Sequence, residues 1–109
     1  MSRVYVAGPY TKGDVAINVR AAILAGDKLI QAGHAPFVPH LCHLWHLLCP
    51  HDWELWLIYD LQWLDVCDCL LRLPGESAGA DLEVKRAKEL GIPVYFTIES
   101  VICADPNPR

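Results

Sequence analysis

Apolar and polar positions sort this chain into strands and helices before any residue is weighed for chemistry. Arg3-Val4-Tyr5-Val6-Ala7 is a short run of β-formers that stops at Gly8-Pro9, a strong turn signal, and it predicts the first strand. After the loop Tyr10-Thr11-Lys12-Gly13, Asp14 is placed to cap a helix. Val15, Val19, Ala22, Ile23 and Ile30 recur there at helical spacing until Gly33 ends the run. Pro36-Phe37-Val38 predicts a second short strand, closed by Pro39-His40. The stretch from Leu41 to Cys49 is dense in Leu, His and Trp, and Pro50 breaks it before a helix from about Trp53 to Leu64. Cys69-Leu70-Leu71-Arg72-Leu73 predicts a third strand, mostly apolar as a strand covered on both faces should be, with Pro74-Gly75-Glu76-Ser77 as its turn. A helix from about Gly79 to Leu90 runs to Gly91, and the last strand is expected from Ile92 to Thr97.

Strand and helix alternate four times. That favours an α/β domain, doubly wound, with a mostly parallel sheet of four to five strands and helices on both faces, over a sandwich or a bundle. At 109 residues the chain is expected to be one domain over residues 1–104, with a flexible tail over 105–109. Net charge is −4 and the basic residues are scattered singly, so no nucleic-acid polymer is expected as a partner. Cys42, Cys49, Cys67, Cys69 and Cys103 make an odd set with no apolar leader before Arg3, and they read as reduced thiols of a cytoplasmic protein. His, Asp or Glu interrupts every apolar stretch between Leu41 and Val66, well short of the roughly 20 residues a membrane span needs, so no membrane partner is expected. The surplus apolar surface points instead to self-association, as a homodimer or a higher homo-oligomer.

In a doubly wound sheet, ligands sit beyond the carboxyl ends of the strands that flank the point where winding reverses. The first and third strands are the expected neighbours, so Gly8-Pro9-Tyr10 would face the loop from Pro74 to Gly79 across one crevice. That second loop leads into a helix N-terminus, whose unpaired N–H groups attract polar or anionic oxygen atoms. Gly75, Ser77 and Gly79 would let a phosphate or a sugar hydroxyl come close; capping alone accounts for the same residues.

Glu83 is the sharper observation. With a helix starting near Gly79, the inward stripe is Ala80, Val84, Ala87 and Leu90, and Glu83 falls inside it, where the pattern asks for an apolar residue. Asp81, Lys85, Lys88 and Glu89 already supply solvated charge on the other face. Two readings fit: a carboxylate turned inward for chemistry, or a flank residue of the first turn stabilised by the helix dipole by about 0.3–1 kcal/mol. Asp68, at the start of the third strand, is the second informative carboxylate, because acidic residues are poor strand formers. Tyr5 joins them if its ring reaches the crevice, and belongs to the core otherwise.

Four pieces occur in order across nearly the whole chain: Val4-Tyr5-Val6-Ala7-Gly8-Pro9; Asp60-Leu61-Gln62-Trp63-Leu64 followed by Cys67-Asp68; Ser77-Ala78-Gly79-Ala80-Asp81-Leu82-Glu83; and Gly91-Ile92-Pro93-Val94. Together they resemble the nucleoside 2-deoxyribosyltransferase superfamily. Within it they are most like the small 2'-deoxynucleoside 5'-monophosphate N-glycosidases and a phage and bacterial domain family of unassigned function. The resemblance implies a flavodoxin-like fold and an enzyme that cleaves or transfers the N-glycosidic bond of a (deoxy)nucleoside or its 5'-monophosphate. It implies Glu83 as the nucleophile, Asp68 as the aspartate that protonates or positions the leaving base, and Tyr5 as the tyrosine that orients the nucleophile. Ser77 and Gly79 match the loop that holds the 5' end of the sugar. Attack by Glu83 on the anomeric carbon would give a covalent ribosyl-enzyme, released by a second base or by water. Gly8, Pro9, Tyr10, His40 and Gly75 complete the expected binding set around a small-molecule nucleoside or nucleotide, and no cofactor is expected.

From His40 to Trp56 the sequence is unlike the better characterised members, so the wall that recognises the base is expected to differ. Cys42, His43, His46, Cys49 and His51 are zinc-type side chains, yet they form no Cys-x-x-Cys or His-x-x-x-His pair, and Pro50 separates His51 from the rest. Packing is the expectation there, and a metal is not. Trp53, Trp56, Asp60 and Trp63 recur at helical spacing and read as core or subunit interface, as does Leu82. Two rival functions stand beside the enzyme: a nucleotide-binding module without catalysis, and a zinc-binding adaptor.

Overall fold

Alternation along the first strand decides the layers. β1 (Arg3–Ala7) turns Val4 and Val6 to one face of the sheet and Tyr5 and Ala7 to the other, and all four are buried. In the computed structural model, which describes residues 1–106, β1 pairs with β2 (Ala35–Phe37) on one side and β3 (Cys69–Arg72) on the other. β4 (Val94–Tyr95) adds to β3, giving the order β2-β1-β3-β4 with every pair parallel. Helices α1 (Val15–Gln31) and α5 (Ile98–Ala104) close one face, where Ala22, Ala25, Leu29 and Val101 meet Val4, Val6, Cys69 and Leu71. Helices α3 (Trp53–Leu64) and α4 (Ala78–Leu90) close the other, where Leu64, Ala80 and Ala87 meet Tyr5, Ala7 and Leu70. Adjacent Leu70 and Leu71 thus anchor opposite layers to one strand, each burial contributing about 1.5–3 kcal/mol. A 3-10 turn (Pro39–Leu41) and the short helix α2 (Cys42–Leu48) bridge β2 to α3. The architecture is the doubly wound α/β fold that the alternation of elements predicts.

Local details depart from the pattern for identifiable reasons. Asp14 caps α1 as expected, its Oδ1 accepting from the N–H groups of Ala16 at 2.9 Å and Ile17 at 3.2 Å. The inward stripe of α1, however, is Ala22, Ala25, Gly26 and Leu29, while the expected Ile23 and Ile30 are 41% and 57% exposed. Close packing selects the smaller residues: a Cβ on Gly26 would fall 2.8 Å from Val38 Cγ2. The last strand is shorter than Ile92 to Thr97, because Pro93 lacks an N–H and Thr97 instead caps α5, its Oγ1 accepting from Ser100 N–H at 3.1 Å. α5 itself is not visible in the pattern, since seven residues give a helical period too little length to declare itself. Val38 leaves the second strand to precede the 3-10 turn, and Leu73 lies just past the third, its N–H still donating to Ala7 O at 2.8 Å. Of the expected tail, Asp105 accepts a hydrogen bond from the Ser2 hydroxyl at 2.8 Å, and positions 107–109 lie outside the described residues. No helix among the described residues is long and apolar enough to cross a membrane.

Candidate active site

Strand β1 hands the chain to β2 on one side and lies against β3 on the other, so winding reverses between β1 and β3. Beyond their carboxyl ends opens a cavity of about 510 Å³, within the range that holds small-molecule ligands. Gly8 and Tyr10 reach it from the loop after β1, His40 from the turn after β2, and Asp60 from α3. Ser77, Gly79 and Glu83 reach it from the start of α4.

Glu83 lies on the buried stripe Ala80, Glu83, Ala87 and is only 7% exposed. The fully buried Tyr5 donates its hydroxyl hydrogen to Glu83 Oε2, and Tyr5 is itself stacked on Phe37. Burial pushes Glu83 up to about 8; the Tyr5 hydrogen bond and the Arg72 guanidinium pull it down, and Asp60 adds to the rise. Burial first, then the charges of Glu83 and Asp60, raise the Tyr5 phenol well above its ordinary range, so it keeps its hydrogen and remains the donor. Burial likewise pushes Asp60 up to about 7, and Asp60 Oδ1 is buried without a hydrogen-bond partner. Two carboxyl groups of one cavity therefore titrate as a pair around neutrality, which makes a state with one ionised and one protonated accessible.

The loop into α4 is fixed by Arg72. Its Nη2 donates to Gly75 O at 2.9 Å and Asp81 Oδ1 at 3.1 Å, and its Nη1 donates to Leu73 O. Ser77 Oγ accepts from Ala80 N–H at 3.1 Å, so the serine caps the helix while its residue lines the cavity. Gly75 and Pro9 do not line the cavity, contrary to expectation. Gly75 has φ +116°, and a Cβ there would fall 2.7 Å from Pro9 Cγ, so the pair presses the two loops together behind the site. Pro9 O also accepts from His40 Nε2 at 2.8 Å, which ties the exits of β1 and β2.

Asp68 is the main correction. It is exposed, and its Oδ2 accepts from Arg3 N–H at 2.7 Å at the amino ends of β1 and β3. A residue preceding a parallel strand lies at the end opposite the ligand crevice, so Asp68 cannot share the cavity with Glu83. Asp60 takes that place. The signal was present in the sequence, since Asp60 interrupts the stripe Trp53, Trp56, Trp63 as Glu83 interrupts its own. That stripe is not simply core or interface: Trp53 and Trp56 line the cavity, and Trp63 stacks on Phe37. His43, His46 and His51 line it too, yet among the described residues no three His, Cys, Asp or Glu converge as metal ligands.

Residues 2–97 match the sequence profile of a domain of unknown function, DUF7768. The chain belongs to the DUF7768 family. This DUF7768 domain also shares its fold with the solved 2-deoxyribosyltransferase of Bacillus psychrosaccharolyticus, at a TM-score of 0.60 and 21% identity, over 85% of this chain and 69% of that one. Among curated proteins nothing matches the sequence.

Proposed function

We propose that this DUF7768 domain breaks the N-glycosidic bond of a nucleoside or its 5'-monophosphate through a glycosyl ester on Glu83. The observation that carries the reading is a buried carboxyl, held by the Tyr5 hydroxyl, in one cavity with a second carboxyl whose oxygen has no partner. In the first step a Glu83 oxygen forms a bond to the anomeric carbon as the bond from that carbon to the base nitrogen breaks. The electron pair leaves with the base, and Asp60, rather than Asp68, supplies its proton. In the second step water or another base attacks the same carbon, gives its proton to the Asp60 carboxylate, and frees Glu83. The shared fold with a 2-deoxyribosyltransferase supports a 2-deoxyribosyl substrate. Incubation with mixed deoxynucleosides and deoxynucleotides should release free base and leave a sugar adduct on Glu83, read by mass spectrometry. Undiminished release by Glu83→Gln would refute the mechanism.

One observation favours a second reading, a nucleotide-binding module without turnover. Burial holds Glu83 up to about 8, so at neutral pH it is largely a protonated hydrogen-bond donor. Under that reading nucleosides raise the melting temperature and no substrate is consumed. Self-association belongs to the proposal as well: Leu55 and Ile58 of α3 and Val66 just beyond it are each more than two-fifths exposed, and Leu44, Leu47 and Leu48 are exposed on α2. A second copy of this chain is the expected cover, and sedimentation equilibrium should find a dimer or larger.

A further inference from the structure

His40, His43, His46 and His51 all line the cavity, and glycosidic cleavage as proposed uses none of them. Their partners fix where two of these rings carry hydrogen. His46 Nδ1 receives the indole N–H of Trp56 at 2.9 Å and the backbone N–H of His51 at 3.3 Å, donors that cannot accept. That nitrogen is a lone pair, so the ring hydrogen sits on Nε2. His43 Nδ1 lies 2.5 Å from the Tyr10 hydroxyl. The phenol is the stronger acid of these two neutral groups, so it donates, and His43 also carries its hydrogen on Nε2. The two histidines are three residues apart on α2 and hence neighbours on one helix face. The α2 wall therefore carries two neighbouring imidazoles that line the cavity with their ring hydrogen on Nε2, and the indoles of Trp53 and Trp56 line the same cavity.

Charge decides what meets that wall. Among the described residues Lys12 is the one Lys or Arg lining the cavity, and it pairs with Glu76 at 3.5 Å; Asp60 and Glu83 line it too, and the Arg72 guanidinium that acts on Glu83 is already engaged by Leu73 O, Gly75 O and Asp81. Among the described residues no Lys or Arg of α2 or α3 lines the cavity, so a dianion would find no cationic side chain on the α2 wall. A neutral planar heterocycle with acceptors on its edge would find both donors and aromatic faces. We infer that the α2 wall reads the base, and that His43 and His46 select a 6-oxopurine over a 6-aminopurine. The first presents O6 and N7 as adjacent acceptors; the second sets an exocyclic N–H against an N–H. This rests on the cavity receiving a nucleoside, as proposed above.

The test is calorimetric titration of 2'-deoxyinosine and 2'-deoxyadenosine into Glu83→Gln protein, which separates binding from turnover. Deoxyinosine should bind on the order of tenfold more tightly. Adding His46→Phe should bring the ratio close to one, whereas His46→Gln, which keeps an N–H donor at the Nε2 position, should preserve it. If His46→Phe fails to fold, His43→Phe makes the same comparison. Equal affinities in the parent, a ratio unmoved by the phenylalanine variants, or affinity for inorganic phosphate alone would overturn the inference. Absence of any nucleoside binding removes it together with the reading beneath it. Base discrimination without wild-type turnover removes only the catalytic proposal, and turnover without discrimination removes only this one.

Discussion

Replacing Glu83 by Gln should separate what this carboxyl does for stability from what it does for chemistry. Its ordinary value is 4.5 and the fold pushes it up to about 8, so the native state holds the proton more tightly than the unfolded chain does. Stability then falls as pH rises from about 4.5 through 8, where the unfolded chain has released a proton that the native state retains. Each tenfold difference in proton affinity is worth about 1.4 kcal/mol, so the full loss reaches roughly 5 kcal/mol as an upper figure. Glu83→Gln has the same shape and no such proton. Any fixed cost of burying an amide moves its stability curve without tilting it. The wild type and the variant should therefore keep a constant difference in melting temperature below about pH 4.5, and the variant should gain steadily up to about pH 8. At a few degrees per kcal/mol the gain amounts to on the order of 10–20 °C. Asp60 is present in both proteins, so its own contribution largely cancels. Thermal melts from pH 4 to 9 in matched ionic strength read the difference directly. Parallel curves, or a wild type that gains on the variant as pH rises, would show that Glu83 is not held neutral by burial, and the account of the site would fall with it.

Activity should follow a bell-shaped pH profile: kcat/KM rises as Glu83 loses its proton, falls as Asp60 loses its own, and peaks between pH 7 and 8, which initial rates of base release will check. Because Glu83 titrates above Asp60, the productive form is a minority at every pH, and a broad plateau would contradict the assigned roles. Tyr5→Phe removes the hydrogen bond that pulls Glu83 down, so it should lower kcat at least tenfold and move the rising limb to higher pH. Gly75→Ala should destabilise the fold by about 1–3 kcal/mol in urea titrations, since the turn needs a positive φ and the added Cβ would strike Pro9 Cγ.

The layers of this fold were legible because alternation is local. Val4 and Val6 against Tyr5 and Ala7 give two covered faces from five residues, and Gly8-Pro9 marks the strand end at which the cavity opens. Glu83 was legible for the same reason, as a carboxylate breaking an apolar period. Asp68 misled because its rank depended on which end of the sheet it would occupy, which periodicity alone does not supply. Once the parallel register Val4 to Cys69 is known, Asp68 falls at the amino ends of the strands. Asp60 stands out less than Glu83 because α3 carries large apolar residues on several sides, so the stripe Trp53, Trp56, Trp63 does not by itself mark which side is inward. In α1 the pattern finds Ala22 but lets large Ile23 and Ile30 outweigh Ala25, Gly26 and Leu29, while close packing against Val38 favours the small side chains.

The two layers are not equivalent, and the difference bears on function. Among the described residues Glu83 is the one buried carboxylate, and it lies with Tyr5 on the face under α3 and α4 rather than under α1 and α5, with Asp60 close enough to raise both. A residue placed for packing alone would gain nothing from ionisability, because Gln fills the Glu83 site and still accepts from Tyr5 without the cost of desolvating a charge. The same holds for Asp60, whose buried oxygen makes no hydrogen bond that would offset its burial. Both costs fall on one cavity, at the reversal point of the sheet, and both leave the groups titrating where a proton can be exchanged at neutral pH. A structural explanation would have to account for two such coincidences separately, while a proton and a nucleophile required at opposite ends of one breaking bond account for them together.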